Sequence, residues 1–216
     1  MSRLTVFRDD APGTPVIATD DAAEIARELK AIGVRFERWE SPVELSPDDS
    51  AETILAAYRP YLDELMGQIG AGSADVIKLT PDHPQAGALR QKFLVEHIHT
   101  EDEVRFFVHG SGNFIMHVDG KVWDAHCVQG DLISVPANTQ HWFDAGDKPF
   151  FTALRVFSDT SGWVAHFTGD AISEKFPAVT GIAMFPAVTG SETFPAVTGS
   201  KTFPAVTGSE TFPAVA

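Results

Sequence analysis

Disulfide chemistry is closed to this chain, because Cys127 is its only cysteine among 216 residues. A lone thiol inside the apolar-alternating run Val122 to Val128 reads as a small core residue rather than a nucleophile. Its isolation suits the cytoplasm. Basic charge is also scarce: 16 Lys and Arg stand against 30 Asp and Glu, a formal net charge of −14. Phosphate contacts need clustered cations, so no nucleic-acid partner is expected. No apolar run approaches the roughly 20 residues of a spanning helix, and no basic amphipathic stretch is offered to a membrane surface. The first ten residues lack the apolar core and cleavage pattern of a signal peptide. What remains is a cytoplasmic chain with no membrane association, 44% hydrophobic. That suffices for one domain burying roughly 70% of its unfolded surface.

Leu4, Val6 and Val16-Ile17 read as short edge strands around the turn Ala11-Pro-Gly-Thr. A helix follows, capped by Asp20 or Asp21, with Ala22, Ile25, Ala26 and Leu29 on its apolar face and Gly33 as its stop. Val34 to Trp39 alternates like a half-buried strand. Ser50 to Met66 has helical period, with Pro60 expected to break or kink it. Ala74 to Leu79 is a further strand. From Phe93 the pattern is all strand: 93–99, 103–109, 113–118, 122–128, 131–135, 139–144, 150–157 and 163–167. Asp119-Gly120 between two alternating runs is a hairpin signal. Many short antiparallel strands imply a mainly β barrel or double-sheet jelly roll, with a few helices at the N-terminal end.

The chemistry is concentrated in Phe93 to Gly110. His97 and His99 are two apart, so on a strand they share a face. Glu103 follows four residues later and opens the next strand after a short acidic turn. Two imidazoles and a carboxylate then converge, and His141 can add a third imidazole from downstream. Imidazole suits Zn, Cu, Fe and Ni, and an oxygen ligand moves the set toward Fe or Ni. Four protein ligands leave two octahedral positions, enough for a bidentate substrate. Arg105, two residues after Glu103, should face the same cavity and supply a fixed cation there. By the same alternation Glu96 faces away from His97. His83, His109, His117, His126 and His166 have no ligand spacing and read as surface or satisfied core histidines.

The spacing His-x-His-x3-Glu-x6-Gly (His97, His99, Glu103, Gly110), followed by Gly130, Pro136 and His141, resembles the two-part signature of the cupin superfamily. Asn138 stands where that pattern has Gly, and Asn tolerates the left-handed conformation the turn requires. Gln91 replaces an opening Gly. Whole phrases, Glu96-His-Ile-His-Thr-Glu-Asp-Glu-Val-Arg-Phe-Phe-Val, Gly130-Asp-Leu-Ile-Ser-Val-Pro-Ala, His141-Trp-Phe-Asp and Gly162-Trp-Val-Ala-His-Phe-Thr-Gly, resemble bacterial acireductone dioxygenases over roughly Leu4 to Phe176. The resemblance implies one Fe(2+) or Ni(2+) per monomer, held by His97, His99, Glu103 and His141. It implies cleavage of 1,2-dihydroxy-3-keto-5-methylthiopentene by O2 in methionine salvage. With iron the products are 4-methylthio-2-oxobutanoate and formate; with nickel they are 3-methylthiopropanoate, formate and CO. It further implies that Arg105 helps form the substrate dianion, that Glu96 assists metal incorporation, and that Asp102 relays conformational change. Phe93, Phe143, Arg155 and Trp163 match positions that line or support the pocket. The expected partners are the acireductone and O2, and the expected state is a monomer. The rival readings are another cupin enzyme, such as an oxalate-degrading enzyme or a sugar-phosphate isomerase, and a non-catalytic binding cupin.

From Phe176 onward the composition changes. Phe-Pro-Ala-Val recurs every nine residues, at Phe176, Phe185, Phe194, Phe203 and Phe212. A Pro and a Gly in each full period exclude long helices and strands. Residues 1–176 are therefore expected to form the catalytic unit. Residues 177–216 are expected to be a disordered extension from tandem duplication, with a sticky arm as the alternative.

Overall fold

The computed structural model describes residues 1–41, 43–157 and 164–176. Trp163 and the repeats beyond Phe176 lie outside the described residues. Among the described residues eleven strands form two antiparallel sheets that share one long strand, β6 (Glu103–Val118). Its N-terminal half pairs with β8 (Asp131–Val135) and β10 (Phe151–Phe157). β3 (Arg35–Arg38) and β4 (Ser73–Leu79) complete that sheet, in the order β4-β10-β6-β8-β3. The C-terminal half of β6 pairs with β7 (Lys121–Val128) and β9 (Gln140–Asp144). β1 (Arg3–Arg8), β2 (Pro15–Thr19), β5 (His97–Ile98) and β11 (His166–Phe167) extend this second sheet, in the order β11-β5-β9-β6-β7-β1-β2. The result is the mainly β double-sheet architecture expected from the sequence.

The sequence pattern predicts two strands, one on either side of Gly110, and one continuous strand is found. The reason is at Gly110 itself, whose φ is +70°. A Cβ there would lie 1.9 Å from the Phe150 carbonyl oxygen. Glycine lets β6 turn the corner from one sheet to the other without leaving the ladder. Side chains before the corner, Arg105 and Phe107, and after it, Phe114 and Met116, then face the same interior. The sheets enclose a core of Phe107, Phe114, Met116, Trp123, Ala125, Cys127, Ile133, Val135, Phe143 and Ala153.

Helices close on both the interior core and the outer faces of the sheets. α1 (Ala22–Ala31) is capped by Asp21, whose carboxylate accepts the Glu24 amide at 2.7 Å. It buries Ile25 and Leu29. α2 (Ala51–Ile69) is capped by Ser50 and lays Ile54, Tyr58, Leu62 and Leu65 on Val104, Phe106, Val108, Leu132, Leu154 and Val156. Each such side chain contributes about 1.5–3 kcal/mol by leaving water. α2 runs unbroken through Pro60. The carbonyl that loses its donor is that of Ala56, an exposed residue, where solvent can replace the missing N–H. α4 (Ile172–Lys175) and Phe176 cover Ile115, Val122 and Trp142 on the opposite outer face.

Two further expectations are corrected. β1 is not an edge strand, since it lies between β2 and β7. Phe93 does not begin a strand but ends a helix, α3 (Ala86–Phe93). Ala86, Leu89 and Phe93, spaced by three and four, pack on the central core, a helical period that Gly87 and the following β run obscure.

Candidate metal centre

Strand pairing assembles the site at one end of the barrel. His97 on β5 sits directly across from His141 on β9. His99 follows β5 immediately, and its carbonyl accepts the Asn138 amide at 2.7 Å. Asn138 adopts φ +61°, as its place in the turn requires. The Asp102 carboxylate accepts the Ala137 amide at 2.9 Å. These two bonds tie the acidic turn to the loop that delivers His141. Glu103 opens β6 opposite Val135. His97, His99, Glu103 and His141 are all buried.

One ring nitrogen from each of His97, His99 and His141 lies within 4.8 Å of the others. Oε2 of Glu103 is 2.9 Å from Nε2 of His141 and 3.8 Å from Nε2 of His99. Each imidazole turns Nδ1 to a main-chain carbonyl: His97 to Val95 at 2.7 Å, His99 to Val164 at 3.3 Å, and His141 to Thr139 at 2.8 Å. A nitrogen facing a carbonyl must donate, so Nε2 of each ring keeps its lone pair for the centre. Sequence reasoning could not find these three carbonyls, because any residue type supplies one.

Electrostatics agree with a cation at this point. Burial pushes the His97 pKa down to about 4, reinforced by His141. Burial also lowers that of His99. Burial acts to raise the Glu103 carboxyl, but the Arg105 guanidinium leads the opposing effects and the group is held well below the usual carboxylate range. Neutral imidazoles and an ionised carboxylate are the forms that bind metal. Oε1 of Glu103 is taken by Arg105, whereas Oε2 of Glu103 and Nε2 of His141 have no hydrogen-bond partner among the described residues. Buried polar atoms this close but out of hydrogen-bond geometry fit ligands of one divalent ion.

Arg105 is buried, with Nη2 2.6 Å from Oε1 of Glu103. Its guanidinium stands 4.9 Å from the Phe143 ring centre and 5.1 Å from that of Phe114. Burial draws its pKa down, and the Glu103 charge opposes that. Arg155 is directly opposite Arg105 on β10 and binds both oxygens of Asp75, at 2.8 and 2.6 Å. Phe93 meets Phe143 edge-on at 6.2 Å. Glu96 points away from His97, as alternation requires, and its carboxylate meets His117 and Thr168. His117 is therefore part of a buried network rather than a surface residue. His109 is buried with Nε2 unpartnered among the described residues.

A double-sheet β-barrel in which three imidazoles and a carboxylate converge defines the cupin class, with a group that could hold a metal ion. The comparisons narrow the class. The profile of the ARD/ARD' family matches residues 3–165. Acireductone dioxygenase from Acidiphilium cryptum is 73% identical over 177 residues, covering 82% of this chain and 98% of its own. That from Granulibacter bethesdensis is 68% identical over 178 residues, covering 82% and 99%. A solved acireductone dioxygenase from Bacillus anthracis, with a cadmium ion in its active centre, superposes with a TM-score of 0.69 at 30% identity, covering 77% of this chain and 98% of its own. The chain belongs to the acireductone dioxygenase family.

Proposed function

We propose that the protein cleaves 1,2-dihydroxy-3-keto-5-methylthiopentene with O2 in methionine salvage, using one Fe(2+) or Ni(2+) held by His97, His99, Glu103 and His141. The observation that carries this reading is the buried convergence of those four side chains beside a buried guanidinium. The bound ion supplies a Lewis acid and a template for an anionic oxygen substrate.

The chain's own residues do the rest. The three carbonyls hold each imidazole with Nε2 toward the centre. An enediol beside a ketone is acidic, and its dianion needs a fixed positive charge. Arg105 supplies that charge without reorganisation, because Phe114, Phe143 and Glu103 already hold it in place. Phe93 and Phe143 keep water from this wall. The Arg155 and Asp75 pair adds a second cation opposite Arg105 while neutralising most of its field. Glu96 assists metal incorporation, and Asp102, through Ala137, couples the acidic turn to the His141 loop.

The test is to strip the metal and reload with iron or nickel separately under O2. Formate is expected with both metals, the 2-oxo acid with iron, and CO with nickel. O2 uptake with neither metal would overturn the reading.

A further inference from the structure

A second cluster of titratable groups lies on the outer side of β5. Glu96, fully buried, divides its carboxylate between His117 Nδ1 at 3.1 Å and the Thr168 hydroxyl at 2.5 Å. Nε2 of His117 is 3.5 Å from Asp9. The Thr168 amide donates to the Glu96 carbonyl at 3.2 Å. Asp170 stands close enough to Glu96 and His117 for the three to surround a cation. However, one of its oxygens accepts the Ile172 amide at 2.9 Å, and its own amide donates to the Thr168 hydroxyl. Every group in the cluster already has a protein partner, so the chain Asp9, His117, Glu96, Thr168 reads as a tether.

What it tethers matters to the metal centre. From Val164 to Asp170 the chain is almost wholly exposed, so burial does little to hold it. Among the described residues it is attached by a two-residue ladder, His166 to Ile98 and Phe167 to His97, by the bonds to Glu96, and by the Val164 carbonyl to His99. This weakly packed strap carries the Val164 carbonyl that fixes the ring of His99, and it lays the Phe167 ring 6.1 Å from that of His97.

We propose that Thr168 and His117 are positioning residues for the metal ligands. Through Glu96 they hold the strap so that the Val164 carbonyl aims Nε2 of His99 at the centre. The proposal rests on the metal-centre reading above and not on the reaction.

The test measures the Kd for Ni(2+) on the full chain by competition with a chromophoric chelator, alongside amide exchange of residues 97–98 and 166–168 in the metal-free protein. Thr168→Val is expected to raise the Kd about 10- to 100-fold, the usual effect of losing an outer support of a ligand, with faster exchange in both segments. His117→Gln is expected to move both readouts in the same direction. Thr168→Ser, which keeps the hydroxyl, is expected to stay within about threefold of the parent. Leu65→Ala, in α2, lowers the melting temperature but should leave the Kd within about twofold. An unchanged Kd in Thr168→Val, an equal loss in Thr168→Ser, or an equal loss in Leu65→Ala would each overturn the proposal. So would a second bound Ni(2+) equivalent that disappears in Asp170→Asn, which would assign the cluster to a cation. Failure of the parent to bind Ni(2+) at all would instead refute the metal-centre reading.

Discussion

At Arg105 a single side chain faces two demands. It must stay cationic inside a barrel that penalises charge, and it must leave the candidate metal ligands free. The first is met by Glu103 at 2.6 Å and by two aromatic rings. The second is met because Arg105 occupies the other oxygen of Glu103 from the one nearest His141 and His99. Arg105→Ala should therefore retain metal, read by metal analysis of the purified variant, while turnover falls about 10²- to 10³-fold. Unchanged rates would remove Arg105 from the reaction. Asp124 permits a test of a different kind. Burial raises its pKa from 3.8 to about 6; Asn113, donating at 2.7 Å, opposes this, and Asp144 adds to it. The folded protein thus holds a proton between pH 4 and 6 that the unfolded chain has released, so stability falls as pH rises through that window and the penalty is complete above it. Asp124→Asn, which keeps an acceptor for Asn113, should melt higher than the parent by a margin that opens between pH 4 and 6 and then stays level. The span from 3.8 to about 6 corresponds to at most about 3 kcal/mol. A margin independent of pH would refute this. The four candidate ligands and Arg105 were legible in the sequence because period-two alternation and fixed spacing constrain them. Val95, Thr139 and Val164 were not, since they act through main-chain oxygens that carry no sequence signature.

Elements were legible where periodicity was undisturbed and failed where one residue changed the geometry. Gly110 is the instructive case. A glycine between two alternating runs reads as a turn, yet the ladder continues through it because β10 approaches so closely that only hydrogen fits at its Cα. Gly110→Ala would need φ +70° and a displaced Phe150 carbonyl. It should cost more than about 2 kcal/mol, or roughly 5 °C in melting temperature. Gly67, inside α2, is the control, because a methyl group added there would meet nothing within 4 Å. Gly67→Ala should hold or raise the melting temperature, by about 1 kcal/mol at most. Equal losses at both positions would mean that the corner of β6 is not sterically fixed. α3 went unseen for the converse reason: its apolar positions are few, and the strand pattern that follows absorbs Phe93.

For the whole molecule the question is how much of the chain the metal centre needs. The two relatives align over 98–99% of their own length and only 82% of this one, and the family profile matches residues 3–165, so part of this chain lies beyond what the family shares. Phe176 opens the first of the repeats. It packs on Phe7 with ring centres 5.7 Å apart and, with Ile172, covers Trp142, the neighbour of His141. The opposite faces of β9 thus serve different ends, one turned with His141 toward the candidate centre and the other held down by Ile172 and Phe176. A chain ending at Phe176 should match the full chain in Ni(2+) affinity, turnover and, within about 2 °C, melting temperature. A chain ending at Ala171 loses Ile172 and Phe176, uncovers Trp142, and should melt at least about 6 °C lower with weaker metal binding. If the longer truncation product already loses metal or activity, the repeats contribute to the centre, and residues 1–176 are not the whole of the catalytic unit.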